Sequence, residues 1–228
     1  MSEVAKQISS LKIASTPIET LYLNEHRAHE HFLAQLGSIK EMIWAADRKA
    51  KGSLGFKILG AGTTVGGELS SDRSVTFDLT DRTGQVLVLR YALEERKAIV
   101  PADVAAMGQY VTTSGAIALQ HGANSIRSKA FEGNDSTMDE LEYERQQVET
   151  VDHMTGGQAD SKMWLLALSS DGTLTGGGIL NDRWLRTASL ASYRDWPLSM
   201  FGTLRTRIGG VPLITVIHVW ADLQQPPQ

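Results

Sequence analysis

Two glycines, Gly209-Gly210, set between two apolar-rich runs, constrain this chain more than any other feature. Paired glycines accept the positive φ angles that a two-residue hairpin loop demands. The runs Leu198–Arg207 and Val211–Ala221 therefore read as antiparallel strands, and counting outward from the turn gives their register. One face collects Leu198, Met200, Gly202, Leu204 and Thr206 opposite Ala221, Val219, Ile217, Thr215 and Leu213. That is a core face. The other collects Phe201, Thr203, Arg205 and Arg207 opposite His218, Val216, Ile214 and Pro212, with Trp220 beside Ser199. Its mixture of aromatic, aliphatic and basic groups suits either a second packed layer or a binding platform.

Upstream, the chain alternates between legible and ambiguous stretches. Residues up to about Pro17 read as a loose arm. Asn24 is a good helix N-cap, and Phe32, Leu36, Ile39, Ile43 and Ala46 recur at helical spacing, with Leu33 and Met42 widening the stripe. This predicts a helix to about Lys51, closed by Gly52. Val75–Leu79 and Gln85–Tyr91 around an Asp81–Gly84 turn read as a hairpin, with a buried helix from Val86 as the alternative. Pro101–Ala106 reads as a short helix. Gln109–Thr113 and Ala116–Gln120 read as strands on either side of Ser114-Gly115. Met163–Ser169 and Thr173–Leu180 form a second expected hairpin around Asp171-Gly172, and Gly176–Gly178 within it signals a bulge or close backbone approach.

Charge is unevenly placed. Glu132–Asp152 holds eight acids against Arg145, a local −7 in a chain of −4, so the rest is net +3. Strong non-specific nucleic-acid binding by the whole chain does not fit that balance, although a local site does. Residues 121–162 read as an acidic, mobile connection containing a short helix over Met138–Val151, N-capped by Thr137 with Glu140 completing the capping box. Its apolar content (Met138, Leu141, Val148, Val151) is thin, so it is expected to order only when packed on something. The fold class is thus α+β: a long N-terminal helix with two β-rich lobes, small barrels in the limit. The expected boundaries are 18–120, 121–162 and 163–222.

Chemistry is harder to find. The chain has no cysteine, which removes disulfides, zinc–thiolate sites and cysteine nucleophiles together. The N-terminal residues lack signal-peptide character and no apolar run approaches the roughly 20 residues of a membrane span, so the expected setting is cytoplasmic, away from membranes. His26, His29 and Glu30 share a helical face and are the only metal-ligand candidates, but without a matching cluster downstream the solvated helix face is preferred. Gly60–Gly67 lacks the following helix that a dinucleotide loop needs. No Gly-x-Ser-x-Gly elbow or differentiated carboxylate pair is present. No cofactor is expected.

Tyr22-Leu23-Asn24, Ala34-Gln35-Leu36-Gly37 and the Gly60–Gly67 stretch with Glu68-Leu69-Ser70-Ser71 together resemble an uncharacterised bacterial family of domain-of-unknown-function type. Members open with Tyr-Leu-Asp, where this chain has Asn24. The resemblance implies a bacterial, cytoplasmic source and assigns no catalytic residue. The reading is a non-enzymatic binding or scaffolding protein that self-associates or engages a protein partner. One alternative is a nucleotide or single-stranded nucleic-acid module on the hairpin's second face, with Phe201 and Trp220 stacking on bases, Arg205 and Arg207 neutralising phosphates, and His218 on the same face. Another is a small-ligand hydrolase using histidines and acids.

Overall fold

A computed structural model describes residues 18–49, 57–59, 76–78, 82–121, 126–127, 135–154 and 162–222. The N-terminal arm, the Gly60–Gly67 loop, Gly52 and the Leu223–Gln228 tail lie outside the described residues. The chain divides into two compact units, one containing Glu25–Lys97 and the other Pro17–Asn24 with Ala98–Gln228.

In the first unit, α1 (Glu25–Lys49) and α2 (Arg82–Glu95) accompany a two-stranded parallel pair, β2 (Lys57–Leu59) and β3 (Thr76–Asp78). Helix α1 buries Ala28, Phe32 and Ile39, whereas Leu33 is exposed. Side chains beyond Ile39 in this helix are outside the description, so Ile43 and Ala46 are not placed. The hairpin expected around Asp81–Gly84 is corrected: Gln85–Tyr91 lies inside α2. Val86, Leu89 and Leu93 recur at helical spacing and are buried. The strong helix formers Ala92, Leu93, Glu94 and Glu95 at its end outweigh the strand preference of Val86 and Val88.

The second unit is built on a closed barrel. Its strands are β5 (Tyr110–His121), β7 (Met163–Ser170), β8 (Thr173–Asn181), β9 (Leu198–Ile208) and β10 (Val211–Asp222). Hydrogen bonding runs β5–β7–β8–β10–β9 and back to β5. Every neighbour is antiparallel except β8 and β10, which pair in parallel through Leu213–Gly177, Ile214–Gly178 and Thr215–Ile179. β1 (Ile18–Leu23) extends the sheet beside β10, and β4 (Ile99–Pro101) and β6 (Ile126–Arg127) pair with β5. Strands from before and after the acidic stretch therefore belong to one sheet. The two separate β-rich lobes are corrected accordingly: residues 121–162 connect neighbouring strands of a single barrel.

Glycines allow the closure. The two strands expected around Ser114-Gly115 are one continuous β5, which pairs with β9 up to Gly115 and with β7 from Ala116. A Cβ at Gly115 would overlap the Ser169 backbone carbonyl and lie 2.9 Å from its amide nitrogen. At Gly178, a Cβ would meet the Val216 methyl and, at 2.5 Å, the Met200 sulfur inside the barrel. Of the bulge or close backbone approach expected at Gly176–Gly178, the bulge is present: Leu168 pairs with Gly176 and Ser169 with Leu174, a register shift in β7–β8, while the groups meeting Gly178 are side chains. Both hairpin turns use left-handed backbone: Asp171 and Gly172 have φ 51° and 75°, Gly209 and Gly210 have φ 55° and 85°.

The barrel interior is filled by Val111, Leu166, Leu168, Met200, Ile214 and Val216 with their neighbours. Outside it, α3 (Asp135–Met154) lays Leu141 on Ala118, Leu165, Ala167 and Leu213. Arg145 fastens this helix: it donates to Glu142 (2.7 Å), to Glu149 (2.6 Å) and to the Met163 carbonyl (2.9 Å). Glu149 in turn accepts from the Met163 amide at 3.2 Å. The hydrogen bonds to Glu142 above all raise the Arg145 pKa, so the cation is firmly held. Arg145→Met should cost about 2 kcal/mol, because it strands a carbonyl and two neighbouring carboxylates. Urea denaturation measures the loss, and amide exchange should rise first over α3.

Pro101–Ala106 is corrected as well. Pro101 ends β4, and the following residues form a tight turn instead of a helix. Arg207 Nη2 donates to the carbonyls of Ala102 (2.7 Å) and Ala105 (3.0 Å), giving those carbonyls partners that a helix would have supplied.

Candidate functional site

The expected platform was the second face of the β9–β10 hairpin, and its geometry begins with register. The pairs Leu198–Ala221, Met200–Val219, Phe201–His218 and Arg207–Pro212 stand as counted from the turn. The middle does not: Leu204 faces Ile214 and Gly202 faces Val216, because the register shifts between Leu213 and Ile214 and between Val216 and His218. Each irregularity turns the following side chains to the opposite face. Ile217 is the extra residue at the second, and its carbonyl accepts from the Asn24 amide at 2.9 Å.

The five candidate residues are dispersed in role. Phe201 and His218 are fully buried, and Trp220 is 8% exposed. Phe201 stacks on Tyr110 with centroids 5.9 Å apart, and His218 stacks on Trp220 at 5.0 Å. Thr20 Oγ1 contacts His218 Nε2 at 3.1 Å. These rings are packing, with no open face of the kind a base would stack on. Arg207 is committed to the Ala102 and Ala105 carbonyls. Arg205 is the exception: at the first register shift it points outward, half-exposed, with Glu144 of α3 at 3.7 Å.

The histidine candidates are not gathered either. His26 Nε2 lies 3.1 Å from Glu30 Oε1 on an exposed surface. His29 Nδ1 accepts from Arg82 at 2.6 Å, which also donates to Gln85 Oε1 at 2.9 Å. Burial, followed by the Arg27 charge, lowers the His31 pKa. Among the described residues no group of three or more histidines and acids is disposed to hold a metal. Among them, too, no helix is long and apolar enough to cross a membrane.

What remains accessible is different from what the sequence singled out. On α3, with Leu141 fully buried inward, Tyr143, Val151 and Met154 are 60%, 57% and 80% exposed. At about 100° per residue these three fall within about 80° of one another, one strip along the outer surface. Asp139, Glu140 and Glu144 border its first turns, and the helix carries seven acids against Arg145. Sequence reading missed the strip because it sought a single apolar face. The signal was there: Tyr143 and Met154 do not share a helical face with Leu141. A second surface, the connection between β8 and β9, alternates exposed arginines with half-buried aromatic rings.

The strand edges also matter. β10 is paired with β9 along one side and with β8 and β1 along the other, so both sides of this strand are occupied within the chain. Comparison with protein-family models, with curated proteins and with solved structures finds no match to this chain.

Proposed function

We propose that this chain is a non-enzymatic binding module whose barrel displays α3 to a protein partner, a basic amphipathic helix. The carrying observation is the exposed Tyr143–Val151–Met154 strip bordered by acids on a helix whose other side is pinned to the barrel. Three exposed apolar side chains aligned along one fixed helix offer a partner an apolar stripe. Rigid display also lowers the ordering cost of binding. The acidic border selects the partner: lysines or arginines beside an apolar stripe would match it, whereas a second copy of α3 would bring like charges together.

The test is a calorimetric titration with a leucine/lysine amphipathic helical peptide of about five turns, beside its leucine/glutamate counterpart. The lysine peptide should bind in about 150 mM salt and the glutamate peptide should not. Tyr143→Ser with Met154→Ser should weaken binding by about tenfold or more, and should leave folding intact because both side chains are exposed. Unchanged affinity in that variant would reduce the attraction to charge alone and defeat the reading. So would an equal loss on Val104→Ser with Met107→Ser, which would move the interface to the exposed turn after β4.

A further inference from the structure

We propose that the connection from Asn181 to Pro197 binds the phosphodiester backbone of a single-stranded nucleic acid, at a surface separate from α3. Its sequence interleaves cations and rings: Arg183-Trp184, Arg186, Tyr193-Arg194 and Trp196. The structure sorts them by depth. Trp184, Tyr193 and Trp196 are half-buried against the barrel core, while Arg183, Arg186 and Arg194 are exposed. Exposed arginines set beside packed rings form a cationic track for phosphates; the Trp184 ring carries Arg183 on its face and packs on the core, so the backbone and not a base is the contact there.

The segment is held in one shape by its own hydrogen bonds. Asn181 Oδ1 caps the first turn by accepting from the Arg183 amide at 3.1 Å, and the Leu185 amide donates to the Asp182 carbonyl at 3.0 Å. The Arg186 amide donates to the Leu21 carbonyl of β1 at 2.8 Å, next to the Tyr22–Leu185 bridge. Ser189 Oγ caps the second turn through the Ala191 amide at 3.2 Å. The arginines therefore stand at fixed points on a framework, which reduces the entropy lost on binding.

Arg183 is the best-prepared of the three. Its guanidinium lies 4.8 Å from the Trp184 ring centroid. A guanidinium resting on a ring keeps its N–H fork directed outward from its edge, the geometry that meets a phosphate bidentately. The neighbouring acids are partly engaged: Asp182 Oδ1 accepts from the Lys162 amide at 3.1 Å, and Glu19 is hydrogen-bonded to the Tyr193 phenol, whose pKa is pushed up to about 12 first by that bond. Asp182 and Asp195 both oppose the proposal, so the connection carries three arginines against two carboxylates.

The experiment is fluorescence anisotropy of a labelled oligothymidylate of about twelve residues with the whole chain, in 50 and 200 mM salt. Two phosphate contacts, from Arg183 and Arg194, predict that affinity falls about sevenfold between those salts. Arg183→Ala with Arg194→Ala should weaken binding at the lower salt and remove most of the salt effect. Arg205→Ala, which removes an exposed cation elsewhere, should leave both unchanged. Absence of binding at 50 mM salt, an unaltered salt effect in the double variant, equal loss in Arg205→Ala, or equally tight binding of a matching duplex would each overturn the proposal. Apart from the Arg205→Ala control, whose side chain pairs with Glu144, these outcomes do not involve α3, so the two surfaces are tested separately.

Discussion

Phe201→Ala should lower the stability of the chain by about 4 kcal/mol, the cost of emptying a fully buried aromatic site. The same substitution on an exposed stacking platform would cost less than about 0.5 kcal/mol and would show instead in ligand affinity. Phe201 sits between the two possibilities that the hairpin sequence leaves open, and chemical denaturation separates them with one variant. A large fall in the denaturation midpoint with an unchanged slope is the expected result. The ring's contact with Tyr110 links β9 to β5, so its loss also loosens the seam where the barrel closes.

Gly115→Ala should cost about 3 kcal/mol. The added methyl has no flexible side chain to push aside. It meets the Ser169 backbone, 2.8 Å from the carbonyl carbon and 2.9 Å from the nitrogen. Relief requires β5 and β7 to separate where β5 changes partner from β9 to β7. Thermal unfolding measures the cost. A change within about 0.5 kcal/mol would mean that the strands do not meet there, and the closed barrel would fail with it.

The parts of this fold that were legible in the sequence are those governed by neighbours along the chain. Gly209-Gly210 and Asp171-Gly172 announced two hairpins because left-handed turns need such residues wherever they occur. Pairings of β5 with β7 and β9 join residues about 50 and 90 positions apart, and nothing local encodes them. The acidic stretch looked like a domain boundary for that reason, although it spans neighbouring strands. The two register shifts in β9–β10 were invisible too, since alternation alone implies an uninterrupted ladder. α2 was misread because Val86-Leu87-Val88 is a strand-like run, and periodicity in so short a run is ambiguous.

The candidate site was less legible than the fold. Phe201, His218 and Trp220 have the composition of a platform, yet burial decides their role and burial is a tertiary property. Arg207 looked available and is spent on two carbonyls that a tight turn leaves exposed. The α3 strip became visible only once Leu141 showed which side of the helix faces the barrel.

The central claim is that α3 receives a basic amphipathic partner, and hydrogen exchange on the complex with the leucine/lysine peptide tests it most directly. Added protection is expected in fragments covering Asp139–Met154, with fragments covering Asn181–Pro197 and the turn at Ala102–Gln109 unchanged. Protection confined to those other segments, or absent from α3 at saturating peptide, would contradict it.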